Sequence, residues 1–460
     1  MRPRRYIYIT LLLLFFSISL FNLRHNYSTL LPSSLHHEDS EISPTDYWTW
    51  DTSSQFRPQT VANPDAKDPC LYFPSHLLKR IQVVLKIGSS EPADRLDTQL
   101  STVTRCISNL IIVSDRDHNL GGHPVYDILA DLPQSYMTNN SDFDTYRGIP
   151  EEQPGSGWRL DRYKFLPMVE RAYKMNPTAE WFVFLEADTY IVWDNLFRLL
   201  EHFDSNSPLY MGSPSPGRRL PNGQTTWFAY GGTGIVISSA AVERIVTREV
   251  GEYGEFVHPS LTARYENDVK GDCCGDSVLG WALYEAGIPL SGLWPLFNPH
   301  PFHSIPFAEA YWCQPIISAH RPRPDEMKDF SKFEAQRGWS KPLLYSDVFN
   351  HLNLGSITHR ENWDNGNFHG FREDASSPAH SSSDACAAAC HNHPECFQFT
   401  YDSTGLCTFV RSIRLGLQHI DPAKKVKLSS GWDVDKINEW VRTHKCGRPL
   451  WVKPSVTRIF

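Results

Sequence analysis

Glu186 and Asp188 are two acids one residue apart, directly after the apolar run Trp181-Phe182-Val183-Phe184-Leu185. In an extended chain, residues i and i+2 face the same side, so the pair would land together at the end of a buried strand. Two carboxylates placed there can hold a hard divalent cation. Such a cation acts as a Lewis acid and stabilises a departing diphosphate. Taken alone, an acid-x-acid pair after a strand is equally well a solvated turn. The elements around it have to decide.

Residues 81–87 (Ile-Gln-Val-Val-Leu-Lys-Ile) read as a strand ended by Gly88-Ser89-Ser90. Residues 92–104 suit a helix, with Pro92 in its first turn and Leu96 and Leu100 at i, i+4. Leu110-Ile111-Ile112-Val113 is a second strand closing on Ser114-Asp115. Strand, helix and strand in so short a span predict a βαβ unit and a parallel sheet. Ligands bind beyond the C-terminal strand ends of such sheets, here at Gly88, Ser89 and Asp115. Residues 161–175 read as an amphipathic helix with Phe165, Met168, Val169 and Ala172 on one face. Gly231-Gly232-Thr233-Gly234 reads as a tight turn before the strand Ile235-Val236-Ile237. Residues 277–286 form a short helix stopped by Gly287, which puts Asp276 at the position of an N-cap. His300, His303 and His320 fall in loops, where a single histidine is commonly structural.

The order of these segments resembles the Fringe-like and core 1 β1,3-galactosyltransferase superfamily, glycosyltransferase family 31, over about residues 80–325. The resemblance runs through Ile87-Gly88-Ser89, Arg105-Cys106, Trp158 and Lys164, and then the strand ending in Glu186-Ala187-Asp188. It continues through Tyr230-Gly231-Gly232-Thr233-Gly234-Ile235-Val236-Ile237-Ser238 and Cys274-Gly275-Asp276-Ser277-Val278-Leu279-Gly280. It ends with His300-Pro301-Phe302 and Ile317-Ser318-Ala319-His320. The resemblance implies an α/β, Rossmann-like nucleotide-sugar-binding (GT-A) domain. It implies Asp188 and His320 as manganese ligands with Glu186 beside them, and Asp276 as the general base of an inverting transfer. Gly88, Ser89, Asp115, Lys164 and Ala187 would meet the UDP-sugar donor, of galactose or N-acetylhexosamine type. Gly231, Gly232, Thr233, Gly234 and His300 would meet the sugar or the acceptor, a glycan or glycoprotein joined through a β1,3 bond. Two positions depart from the family pattern: Ala187 replaces the middle of three acids, and Gly275 replaces the acid before the base. Asp268 and Asp272 remain alternative bases. The departures also leave open a membrane-tethered, inactive lectin-like protein.

The ends of the chain bear on its compartment. Arg2, Arg4 and Arg5 precede an apolar run at residues 6–23. That run is long enough to span most of a bilayer, and the basic flank places the N-terminus in the cytosol. The expectation is a cytosolic tail (1–5), a signal anchor (6–23), a stem (24–69), the catalytic domain (70–350), a second module (360–446) and a tail (447–460). This is a single-pass type II arrangement in the Golgi or ER–Golgi membrane. A cleaved secretory leader is the alternative, but no A-x-A pattern follows the run. Asn139-Asn140-Ser141 is a glycosylation sequon. A net charge of −8 with no basic, aromatic-interleaved patch argues against nucleic acid.

Ten cysteines suit an oxidising compartment. Cys386, Cys390, Cys396 and Cys407 follow a C-x3-C-x5-C-x10-C pattern, read as a small stapled module. Cys386–Cys407 with Cys390–Cys396 is the expected pairing, although spacing alone leaves others open. Cys70 is expected to pair with Cys106, and one of Cys273 and Cys274 with Cys313. Together with Phe397-Gln398-Phe399-Thr400-Tyr401 and Ser430-Gly431-Trp432, the stapled module resembles a PAN/apple domain, a small disulfide-rich α+β fold. That resemblance implies glycan or protein binding. A packed spacer is the plainer expectation.

Overall fold

The computed structural model describes residues 47–48, 68–148, 156–419 and 426–458. The expected anchor and cytosolic tail, and nearly all of the stem, lie outside them. Among the described residues no helix is long and apolar enough to cross a membrane. The described residues from Trp48 onward form one compact unit.

The N-terminal half is built on strands β1 (Ile81–Lys86), β2 (Ile111–Ser114), β3 (His118–Leu120), β4 (His123–Asp127), β5 (Trp181–Glu186), β6 (Thr189–Ile191), β7 (Tyr210–Gly212), β8 (Ile235–Ser238), β9 (Ser291–Gly292), β10 (Phe297–Asn298) and β11 (Ser318–His320). Eight of them form one mixed sheet in the order β9-β7-β8-β5-β1-β2-β4-β3. Its centre is parallel: β1 lies between β2 and β5, all running the same way. The βαβ unit closes through helix α1 (Ala93–Ser101). β1 is buried along its whole length, as a central parallel strand covered on both faces must be.

Helix α2 (Phe165–Met175) packs one face of the sheet through Phe165, Met168, Val169 and Ala172. It starts later than the periodicity at 161–175 suggests, because residues Ser156–Tyr163 wind as a 3₁₀ helix. The side chains of Asp161 and Lys164 are drawn to Lys86 and Asp115, and the backbone there closes by the tighter Lys164 N–H to Asp161 carbonyl bond. Helix α3 (Trp193–Leu200) is buried throughout. Helix α4 (Gly275–Glu285) begins two residues before the expected start, so Asp276 sits inside its first turn and is not its cap. A small second sheet, β10-β11-β6, lies beyond the end of β5. Helix α5 (Pro324–Arg337) follows β11.

The C-terminal module holds β12 (His359–Glu361), β13 (Gly370–Phe371), β14 (Gln398–Asp402), β15 (Leu406–Val410) and β16 (Leu428–Trp432) in a five-stranded antiparallel sheet, ordered β12-β16-β14-β15-β13. Helix α6 (Ser383–Asn392) presents Cys386 and Cys390 from one face, and these bond to Cys407 and Cys396. Helix α7 (Val434–Thr443) follows the sheet.

Cys70 pairs with Cys106 as expected. The other pairing is corrected: Cys273 bonds to its neighbour Cys274, and Cys313 bonds to Cys446, 133 residues away. The chain after α7 returns to the N-terminal half, where Leu450 N–H donates to the Cys313 carbonyl and Trp312 Nε1 to the His444 carbonyl. That return path leaves no trace in local cysteine spacing.

Candidate active site

The end of β5 and the start of β6 bring the two acids together. The Glu186 N–H donates to the Thr189 hydroxyl, which in turn donates to the Gly232 carbonyl. One hydroxyl thus joins the acidic turn to the glycine-rich turn. β11 pairs antiparallel with β6 so that His320 lies opposite Thr189. This register sets the His320 Nε2 3.6 Å from Asp188 Oδ1. Glu186, Asp188 and His320 each offer one ligand atom, and the three atoms lie within 4.8 Å of one another. A second acidic group, Asp272 with Cys273 and Cys274, offers no thiolate because its cysteines are bonded to each other.

The donor set fits a divalent cation. Burial lowers the His320 imidazole to about 4 against the pull of Asp188, so the ring is neutral at pH 7 with a lone pair to give. Its place depends on Gly232, where a Cβ would stand 2.3 Å from His320 Nε2. The Tyr230 ring packs edge-on to the same imidazole at 5.1 Å.

Burial pushes Glu186 up to about 7, with Lys86 opposing. The buried Lys86 ammonium lies 3.1 Å from Glu186 Oε1, pairs also with Asp161, and rests over the Phe165 ring at 4.4 Å. Glu186 is therefore shared between the cluster and Lys86, which leaves Asp188 and His320 better placed to hold a cation. Arg95 and Arg321 approach Asp188 at 3.8 and 4.0 Å. Sequence reasoning passed over Lys86, Arg95, Arg321 and Thr189 as site residues. The visible signal was Lys86 itself, a charge at the end of an otherwise apolar strand.

Asp276 accepts the Gly231 N–H at 2.8 Å and the Ser277 N–H at 2.9 Å. Burial raises its pKa despite those two donors, which makes it a stronger base. Asp268 and Asp272 are turned elsewhere, toward Arg218 at 2.6 and 3.6 Å. Of the three acids, Asp276 is the one bonded to the glycine-rich turn.

The two departures at Ala187 and Gly275 have local reasons. Ala187 is buried, so a carboxylate there would have to be desolvated in the interior. A Cβ on Gly275 would meet the Arg162 carbonyl oxygen and the Phe165 ring at 2.4 Å.

Beyond β1 and β2, Asp115 accepts from the Ser89 N–H at 3.0 Å, from its hydroxyl at 2.5 Å and from Lys164 at 2.7 Å. Lys164 also donates to the Ile87 carbonyl. Ser89, Asp115 and Lys164 are thus one cluster beside Gly88, at the strand ends where the topology places a ligand. His300 stands next to His320 in the backbone, its carbonyl accepting the His320 N–H at 3.3 Å. Burial, with Arg414 and His369 nearby, lowers its imidazole to about 4. Thr233 and Gly234 are buried in the turn, and Asn139 is exposed with a left-handed φ of 55°.

Residues 160–288 match the family model described as Fringe-like, and residues 359–426 match that of the PAN domain. The chain carries a Fringe-like glycosyltransferase domain followed by a PAN domain. Among solved structures, a glycosyltransferase involved in the glycosylation of the major capsid of PBCV-1 is similar at 12% identity, over 55% of this chain and 100% of that one, with a TM-score of 0.25. The Fringe-like match takes in Glu186, Asp188, the glycine-rich turn and Asp276. His320 lies beyond it and joins the site through the β6–β11 pairing.

Proposed function

We propose that the Fringe-like domain is an inverting, manganese-dependent transferase that moves a sugar of galactose or N-acetylhexosamine type from a UDP-sugar to a glycan or glycoprotein, through a β1,3 bond. The observation that carries this reading is the convergence of Glu186, Asp188 and His320 at one strand end, with Asp276 tethered to the adjoining turn. Mixed carboxylate and imidazole donors suit manganese. When bound, the cation would neutralise the diphosphate of the leaving nucleotide.

The remaining work falls to the chain. The Ser89–Asp115–Lys164 cluster holds the β1 and β2 ends in the shape that receives the nucleotide. Gly231 and Gly232 let the backbone approach the sugar. Asp276 accepts the proton of the acceptor hydroxyl as its oxygen attacks the anomeric carbon on the face opposite UDP, which inverts that carbon. The five disulfides, the sequon and the apolar run at residues 6–23 support a type II Golgi location, with the catalytic domain in the lumen.

The test is UDP release from a panel of UDP-sugars by the full chain in detergent, with and without manganese. The reading expects one donor to be turned over, only with the metal, and Asp188→Ala to abolish turnover. Release from no donor in any metal would sink it.

A further inference from the structure

The turn after β10 carries His300 beside the metal ligand His320, since Asn298 pairs with Ala319 and the His300 carbonyl takes the His320 N–H. The His300 ring meets Phe368 of the PAN domain edge-on, with centroids 5.5 Å apart. Phe368 lies against His369 at 4.1 Å, and the guanidinium of the buried Arg414 sits over its ring at 4.6 Å. Arg414 also donates to the Asn367 side-chain oxygen at 3.2 Å. Asn367 and His369 are exposed, and His369 holds a left-handed backbone with φ of 54°. Such a conformation persists in a non-glycine residue where its surroundings hold it.

The two domains are locked together at this place. Phe307 and Ile413 exchange both backbone hydrogen bonds, at 2.8 and 3.1 Å, and the Gly416 N–H donates to the His303 carbonyl. The Cys313–Cys446 disulfide and the Trp312–Trp440 contact at 4.8 Å tie the far side. A module held this firmly, with its loop beside the candidate site, is placed as part of the site's wall.

We propose that His300, Phe368 and His369 form an acceptor-saccharide subsite, so that the PAN domain is the acceptor-side wall of the transferase. The proposal rests on the transferase reading above. A sugar ring offers a C–H face that packs on aromatic rings and hydroxyls that need polar partners. This cluster sets the Phe368 ring between two imidazole rings, with the exposed Asn367 amide next to it. An apolar peptide would find more on the hairpin of Tyr253, Phe256 and Val257, where large apolar side chains are exposed. Because the domains are already locked, little ordering cost falls on binding.

The test uses the full chain in detergent with manganese and UDP, applied to a printed array of oligosaccharides. Wild type is compared with Phe368→Ala and Phe368→Tyr, the melting temperature of each is recorded, and UDP release by wild type is measured in parallel. The proposal expects binding to a subset of glycans that falls roughly tenfold or more in Phe368→Ala and is retained in Phe368→Tyr, both variants melting like wild type. Equal binding by Phe368→Ala would overturn it, and so would wild type that releases UDP yet binds no glycan. Phe368-dependent glycan binding without UDP release would support the subsite and overturn the transferase reading instead.

Discussion

Asp276 is held by two backbone N–H groups and faces the turn where an acceptor hydroxyl would lie. Replacing it with asparagine keeps the shape and removes the carboxylate proposed as the base. Asp276→Asn is expected to lower kcat by about 10²–10⁴-fold with donor KM little changed, which steady-state kinetics would show. Gly232 tests the proposed metal ligand His320 from the opposite side. Its missing Cβ leaves the space that His320 fills, so Gly232→Ala should weaken manganese binding by roughly 10–100-fold, measured by electron paramagnetic resonance titration. Unchanged affinity would mean that His320 is not a ligand. At this scale the sequence was informative where spacing is local. The i, i+2 acids follow from strand periodicity alone. Lys86 was not legible as a partner of Glu186, because 100 residues separate them and only the parallel pairing of β1 with β5 brings Lys86 opposite Glu186.

The strand ends form the next level. The Lys164–Asp115 pair is buried and fastens the loop after β1 to the end of β2. Burial pushes the Asp115 carboxyl up, but Lys164 and the Ser89 donors pull it further down, so the net shift is below its ordinary 3.8. A carboxyl whose folded pKa is depressed contributes stability above its unfolded value and loses it as pH falls through the folded one. Asp115→Asn leaves Lys164 buried without its counter-charge, and should cost about 3 kcal/mol at pH 7. The gap between variant and wild type should narrow below pH 3.8, as wild type also loses the charge. Thermal melts from pH 7 to pH 3 would check the sign. The βαβ unit and its ligand-binding ends were readable because strand, helix and strand follow one another in the chain. The eight-stranded order was not, since β8 joins β5 antiparallel from beyond the acidic turn. The boundary at Phe165 was also hidden, because the 3₁₀ turn before it answers to tertiary ion pairs rather than to periodicity.

Across the whole molecule, the PAN domain is clamped to the catalytic half by Cys313–Cys446, which closes a loop of 133 residues. Converting both cysteines to serine is expected to cost about 2–4 kcal/mol and to open the junction to limited proteolysis. No loss of melting temperature would show that the backbone contacts at Phe307 and Ile413 suffice. The module's internal pairings were legible because its cysteines are close in sequence and two lie on one helical face. The clamp was not, because it depends on the chain's return after α7. The central claim is that Asp188 and His320 share a cation where a nucleotide diphosphate ends. Anomalous diffraction from crystals of the full chain grown with manganese and UDP tests it most directly. The account predicts one strong manganese peak within ligating distance of Asp188 and His320, adjoining the UDP phosphates. UDP bound elsewhere, or a peak that neither residue reaches, would contradict it.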